Sequence, residues 1–253
     1  MVKMFTSKFV SSLFMVLCAI SGGSLKQIPD YIEVCKRDQS TINECVLKSI
    51  EKIRPKLAEG IPELQVPTIE PFVIPQIVVD SGNVVQFVAI GQDVKVSGAS
   101  NFTIKNIDVD LDTFTIRGRV RFPRLHFDGR YTLDARVLVL PLKGQGNILA
   151  DAVKCDAEIV IKSKFIEKDG QDYIQFDKLN MDITVRDYRV KLDGLFNGDK
   201  TLGDAANEAI NQNRGEFLKA SKPYVEKTAS KILLETANKI ASTFPIDDLL
   251  PNP

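Results

Sequence analysis

The pattern of apolar and polar positions changes character four times along the chain. Phe9 to Ile20 is an almost unbroken apolar run, preceded by Lys3 and Lys8 and ending among the small residues Ala19, Ser21, Gly22 and Gly23. About a dozen apolar residues are too few to span a bilayer, and a basic start with a small-residue end marks an export signal. Residues 1–23 are therefore read as a signal peptide, in preference to a buried helix or a membrane anchor, and 24–253 as one mature domain. Ile42, Val46, Ile50, Ile53 and Leu57 then recur at helical spacing, with Thr41 and Glu44 placed as a capping box and Gly60 and Pro62 as a stop. This predicts a helix at about 41–58. Pro62, Pro67, Pro71 and Pro75 follow among apolar residues and leave only an extended, edge-like segment.

From about Val84 to Leu195 the period becomes two. Ile107, Val109 and Leu111 alternate with Asp108, Asp110 and Asp112. Leu179, Met181, Ile183 and Val185 alternate with Asn180, Asp182, Thr184 and Arg186, and a further run holds Tyr188, Val190 and Leu192. Each run is a strand with one apolar face. Turns are predicted at Ser81-Gly82-Asn83, Asp128-Gly129, Gly144-Gln145-Gly146-Asn147 and Asp169-Gly170. No helical interval interrupts the series, so the sheet is antiparallel and built from hairpins.

After Asn197-Gly198 the helical period returns. Phe217 to Phe244 carries two apolar residues per turn, with Pro223 as a kink and Pro245 as an end. A helix of that length is roughly 40 Å long and can cover the apolar face of the sheet. Its face holds Ala220, Ala229, Ala237 and Ala241, and the chain has no tryptophan to fill space. The fold class is α+β.

Charge and cysteines narrow the setting. The 33 basic and 33 acidic residues balance, and removing Lys3 and Lys8 leaves 31 basic ones, which argues against a nucleic-acid partner. Cys18 departs with the signal. In an oxidising compartment Cys35 and Cys45, ten residues apart, form the natural disulfide, worth about 3 kcal/mol for so short a loop. Cys155 is left over on an apolar strand face with Val153, Ala157, Ile159 and Ile161, where a thiol acts as a small hydrophobe.

Some stretches are more specific. Ile53-Arg54-Pro55-Lys56-Leu57-Ala58-Glu59-Gly60-Ile61-Pro62-Glu63-Leu64 and Val66-Pro67-Thr68-Ile69-Glu70-Pro71-Phe72, behind the two cysteines, resemble the N-terminal signature of the takeout and juvenile-hormone-binding family of insects. Val137-Leu138-Val139-Leu140-Pro141-Leu142-Lys143-Gly144-Gln145-Gly146, Leu195-Phe196-Asn197-Gly198 and Phe244-Pro245-Ile246-Asp247-Asp248-Leu249-Leu250-Pro251 are similar to later motifs of the same family. The resemblance implies a long C-terminal helix wrapped by a highly curved antiparallel sheet of the lipid-transfer (TULIP) type, with a short N-terminal helix and a hydrophobic tunnel. It also implies a haemolymph carrier of terpenoid or other apolar molecules, linked in some members to circadian, sleep or feeding output. Dedicated hormone carriers have a second disulfide. The unpaired Cys155 therefore points to the takeout branch.

Other chemistry finds little support. The single histidine, His126, has no accompanying nucleophile motif or metal-ligand spacing. Gly144 and Gly146 lack the rest of a dinucleotide fingerprint, and Asp108, Asp110 and Asp112 share one solvated face. The expectation is a secreted, monomeric, non-enzymatic carrier of a small hydrophobic ligand, with no cofactor, no metal and no membrane insertion. Its lining is expected from the inward phase of the strands, Ile104, Ile116, Leu133, Val137, Cys155, Ala157, Ile159, Met181, Ile183 and Tyr188, opposed by Ile232, Ala237 and Ile240. Asn101-Phe102-Thr103 is a glycan acceptor sequence in an exported chain. The alternatives are an extracellular signalling protein with a filled core, whose partner is a receptor or haemolymph protein, and a hormone-ester hydrolase using His126.

Overall fold

The computed structural model describes residues 27–80, 87–137 and 140–253. The export signal and the Ser81-Gly82-Asn83 turn lie outside the described residues. So do the side chains at positions 79, 80, 87, 135–137, 140 and 141.

Helix α1 (Ile42–Glu59) is followed by six strands, β1 (Phe72–Asp80), β2 (Phe87–Ser97), β3 (Thr103–Asp110), β4 (Thr115–Val137), β5 (Leu140–Lys168) and β6 (Gln171–Leu192). Helices α2 (Lys200–Gln212), α3 (Arg214–Ala241) and α4 (Ile246–Leu249) close the chain. The sheet is wholly antiparallel in the order β1-β2-β4-β5-β6, and β3 pairs with the other end of β4, beyond β2. Among the described residues, no helix is long and apolar enough to cross a membrane.

The N-terminal helix has its predicted extent but not its predicted cap. No side chain caps its first turn, so the Thr41–Glu44 box is not formed. The Asp38 carboxylate instead accepts from the amide and hydroxyl of Ser40, and its backbone carbonyl accepts from the amides of Thr41 and Ile42. The incoming chain is thereby already turned, and the Cys35–Cys45 disulfide fixes it against the helix. Cys35, Ile42 and Val109 form a buried cluster there with Ile107, Leu111 and Ile116.

The strands are far longer than the predicted turns allow. Asp169-Gly170 is a turn, with both residues at positive φ (53° and 75°) as a two-residue hairpin of type I′ requires. Asp128-Gly129 and Gly144–Asn147 are instead mid-strand, paired with Leu149-Ile148 and with Leu133–Arg130 in adjoining stretches of the β4–β5 ladder. Their glycines serve close approach. A Cβ on Gly144 would lie 2.7 Å from the Leu195 Cα, one on Gly146 would run into the Asp193 carbonyl, and one on Gly129 would lie 2.9 Å from the Val94 Cα. The chain leaving β6 thus crosses directly over the face of β5, which delivers Leu195 to the core at 1 % exposure.

A phase switch crosses three strands. On β4, Val120 and Phe122 share the inward face with Leu125 and Phe127, so Pro123 and Arg124 fall between as two consecutive exposed residues. On β5, buried Ala152 and buried Cys155 flank Val153 and Lys154, with Lys154 at φ 52°; on β6, Val185 and Tyr188 flank exposed Arg186 and Asp187. These six residues lie on one line across the sheet, and an extra residue per strand bends it there. Val153 accordingly leaves the inward phase that period-two alternation assigns to it. Pro123 is tolerated on a central strand because it lies in the gap between the β3 and β2 pairings. Outside, Arg117, Arg119 and Arg121 pair with Asp108, Glu158 and Asp156, which balances charge on the convex face.

Two measurements test this architecture. Gly146→Ala is expected to destabilise the fold by about 3 kcal/mol, because the clash is with backbone that cannot swing aside; chemical denaturation against wild type checks it. Glu70 gives a pH signature. Burial alone would raise its carboxyl, but the amides of Gly98 and Ser100 and the Ser100 hydroxyl outweigh that and hold it below the ordinary 4.5. A depressed folded pKa contributes stability above 4.5 that is lost as the pH falls through the folded value. Glu70→Gln should therefore lower the melting temperature at pH 7, with the difference from wild type shrinking as the pH is taken below 4.5.

Candidate ligand-binding interior

Helix α3 is 28 residues long and runs along β6, the last strand of the sheet, while also reaching β1, the first. Helix and sheet together close a ring. No strand between the two ends approaches α3 as closely as β6 does, among the described residues.

What attaches the helices to β6 is a set of side-chain amides. Asn207 and Asn211 of α2 each accept from a strand amide and donate to the same residue's carbonyl, at Leu192 (2.8 and 2.9 Å) and Val190 (2.9 and 2.7 Å). Asn238 of α3 treats Phe176 in the same way, at 2.8 and 2.9 Å. A carboxamide presents a donor and an acceptor side by side, as a neighbouring strand would. Four helical residues rise about 6 Å and two strand residues about 6.8 Å, so Asn207 and Asn211 keep step with Leu192 and Val190.

The two ends of the ring are filled. At one end Tyr131, Leu133, Leu142, Cys155, Tyr188, Val190, Leu192 and Leu195 pack with Ala206 and Ile210 of α2. The Tyr131 hydroxyl donates to the Asp193 carbonyl at 2.8 Å and the Tyr188 hydroxyl to that of Ile210 at 3.4 Å; burial pushes both phenols up to about 12. At the other end Ile174, Ala241 and Ile246 are buried together, beside the cluster of Ile61, Leu64, Val66 and Phe244.

Between these plugs the packing is looser. Ile104, Val120, Ala157 and Ile183 share one rung of the sheet and Gly118, Ile159 and Met181 the next, while Phe122, Cys155 and Val185, on the rung to the other side, form the margin of the first filled end. On these rungs Ile104, Val120, Ile159, Met181, Ile183 and Val185 are only half-buried although they are apolar and face inward. Leu218, Ile232 and Ala237 of α3 are half-buried as well. A cleft of about 240 Å³, half open to solvent, lies between β6 and α3, walled by Ile183, Val185, Leu218 and the exposed Val225 and rimmed by Thr184, Lys219, Ser221 and Lys222.

The residues expected to line a channel therefore separate into groups. Ile104, Ala157, Ile159, Met181 and Ile183 are brought together on adjacent rungs. Leu133, Cys155 and Tyr188 belong to the packed end, Ile116 packs with the α1 cluster, and Ile240 packs against the cluster around Phe244. Val137 closes β4 opposite Leu140, with its side chain outside those described. Sequence reasoning missed Val185, Leu218 and Val225 as cavity walls. The spacing of Leu218, Ser221, Lys222 and Val225, one helical face, was the available signal.

Reactive groups are sparse in this interior. Burial pushes the Cys155 thiol up to about 11, so it is protonated at neutral pH. His126 lies on the convex side, its Nδ1 3.3 Å from the Asp151 carboxylate, in line with Ser97 and Arg189 across the sheet. Asn101 is exposed at the end of the short turn before β3.

Comparison with known proteins bears on this geometry. The family described as haemolymph juvenile hormone binding protein (JHBP) matches residues 13–251. A Schistocerca gregaria protein named "Putative beta-carotene-binding protein" is 26 % identical over 209 residues, covering 81 % of this chain and 82 % of its own. The circadian clock-controlled protein daywake of Drosophila melanogaster is 21 % identical over 250 residues, covering 95 % and 94 %. The crystal structure of Epiphyas postvittana Takeout 1 superposes with a TM-score of 0.73 at 22 % identity, over 87 % of this chain and 99 % of that one. The curved sheet with its long C-terminal helix is thus the takeout fold, and with the family match spanning nearly the whole sequence, the chain belongs to the haemolymph juvenile hormone binding protein family.

Proposed function

We propose that this protein is a secreted carrier that shelters one small apolar molecule between α3 and the concave face of the sheet. The observation that carries the reading is the half-buried state of inward-facing apolar side chains between two filled ends. Apolar surface turned inward but still reached by water is stabilised by any hydrocarbon that replaces the water. A dozen buried carbons at about 0.8 kcal/mol each give roughly 10 kcal/mol before association costs, enough for binding near the micromolar level.

The lining proposed is Ile104, Ala157, Ile159, Met181, Ile183, Ile232 and Ala237, with Val185, Leu218 and Val225 added from the cavity. A cavity of 240 Å³ is slightly below the usual range for drug-sized ligands, about 300–1,000 Å³, and suits a slender chain. The family supports an apolar ligand in general. The name of the Schistocerca relative supports an extended isoprenoid, and that of the Drosophila relative supports a role in circadian output. Export rests on the signal read at 1–23, and its marker is the Asn101 sequon, exposed on the mature surface.

Protein secreted from insect cells, analysed by native mass spectrometry and solvent extraction, is expected to release an apolar molecule in stoichiometric amount. An empty protein that also fails to take up the fluorescent probe N-phenyl-1-naphthylamine would remove the carrier reading. Ile183→Trp, which fills the cavity with its own ring, should weaken probe affinity about tenfold or more while leaving the far-ultraviolet circular dichroism unchanged. Secreted Asn101→Gln is expected to run faster on denaturing gels than wild type, and to match wild type treated with N-glycosidase.

A further inference from the structure

The side-chain clamps along β6 are not equivalent. Asn207, Asn211 and Asn238 each make two bonds to one strand residue. The fourth position holds a glutamate. Glu226 accepts from the Ile183 amide at 2.7 Å, but a carboxylate has no hydrogen to give the Ile183 carbonyl, and no side chain among the described residues donates to that oxygen. Glu226 is also shared with Lys222, at 3.5 Å, which pairs in addition with Asp182 at 3.1 Å.

The single-bonded clamp coincides with the cavity. Ile183 is both the residue that Glu226 holds and a wall of that cavity, and Lys222 stands on its rim. Between Asn211 and Asn238, Glu226 makes the only side-chain hydrogen bond from the helix to the strand backbone among the described residues. About 18 Å of α3 separate it from Asn238, and Asn211 lies farther off in the other direction, on α2 beyond the break at Asn213. Val225, beside Glu226, is 46 % exposed. The seam is therefore held firmly at its ends and, at its middle, by one bond to the strand backbone and one exposed ion pair.

We propose that the guest passes between β6 and α3 at Ile183, and that Glu226 is the latch of this side portal. The proposal rests on the carrier reading above. When the Glu226–Ile183 bond breaks, the Lys222–Asp182 pair is the polar tie left at the middle of the seam among the described residues, exposed and weak, with the Arg214–Asp187 pair at the start of α3. The middle of α3 can then move from the strand while the asparagine clamps hold, opening the cavity sideways without unfolding either plug.

Glu226→Gln separates the latch from mere packing, because it keeps the shape and acquires the missing donor. The added bond to the Ile183 carbonyl should slow opening about fivefold. Hydrogen exchange of the Ile183 amide, measured on the empty protein, is expected to slow by that factor, and stopped-flow uptake and release of N-phenyl-1-naphthylamine should slow together with little change in affinity. Glu226→Ala should speed all three. Unchanged Ile183 exchange in both variants would overturn the latch. Altered exchange with unchanged probe rates would overturn the portal. A protein that shows the exchange effects yet binds no probe would count against the carrier reading and the portal, while leaving the opening of the seam measured.

Discussion

The peptide groups on the free edge of β6 have to be hydrogen-bonded without a seventh strand, and that requirement places the C-terminal helices. An open edge is a site of aggregation, and unpaired backbone groups that become buried cost free energy. Here asparagine side chains stand in for the missing strand at Leu192, Val190 and Phe176. The same solution recurs at the edge that β3 forms beside β4. Val109 of β3 and Leu111 just after it are met by Asn43 and Gln39, which lie within and just before α1. Both helical elements are thus docked through side-chain amides as well as through apolar burial, and the amides set where along the sheet each helix can sit.

Much of the architecture is legible in the sequence because it follows from period and from turn chemistry. The antiparallel sheet, the helix at 42–59, the long C-terminal helix, the Asp169-Gly170 hairpin and the Cys35–Cys45 bridge all come from local patterns. What local patterns miss is contact made across the fold. Gly129, Gly144 and Gly146 look like turns, yet they are mid-strand residues that let another segment pass, and no short window contains Asp193 and Gly146 together. The Thr41–Glu44 cap fails for the opposite reason, since a nearer competitor, Asp38, already turns the chain.

The phase switch explains why the candidate lining was only partly legible. Alternation assigns faces correctly on each side of the line through Pro123, Lys154 and Arg186, so Cys155, Ala157, Ile159, Met181, Ile183 and Tyr188 all point inward. Inward, however, means different surroundings at different heights. Tyr188 and Cys155 lie where α2 presses against the sheet, while Met181 and Ile183 lie where only α3 faces them. The height depends on how α2 and α3 are docked, and that depends on asparagines whose partners are backbone groups invisible to a hydrophobicity pattern.

These constraints together separate stability from occupancy. The ring is held by its edges and its ends: the carboxamide clamps, the packed cluster around Leu195, and the cluster of Ile174, Ala241 and Ile246 with the disulfide-bound α1 nearby. None of these requires the middle to be filled. In an ordinary two-layer core the same apolar residues would have to interdigitate, because layer-to-layer packing would be the main source of cohesion. Here a helix fixed to the strand edges can stand off the concave face, and Ile159, Met181 and Ile183 can remain half-buried without loss of the fold. A guest that covers them adds stability in proportion to its concentration over its dissociation constant, as for any ligand bound only by the folded state. The loosely packed middle is thus a consequence of how the edges are closed, and it is the place where the proposed hydrocarbon guest would sit.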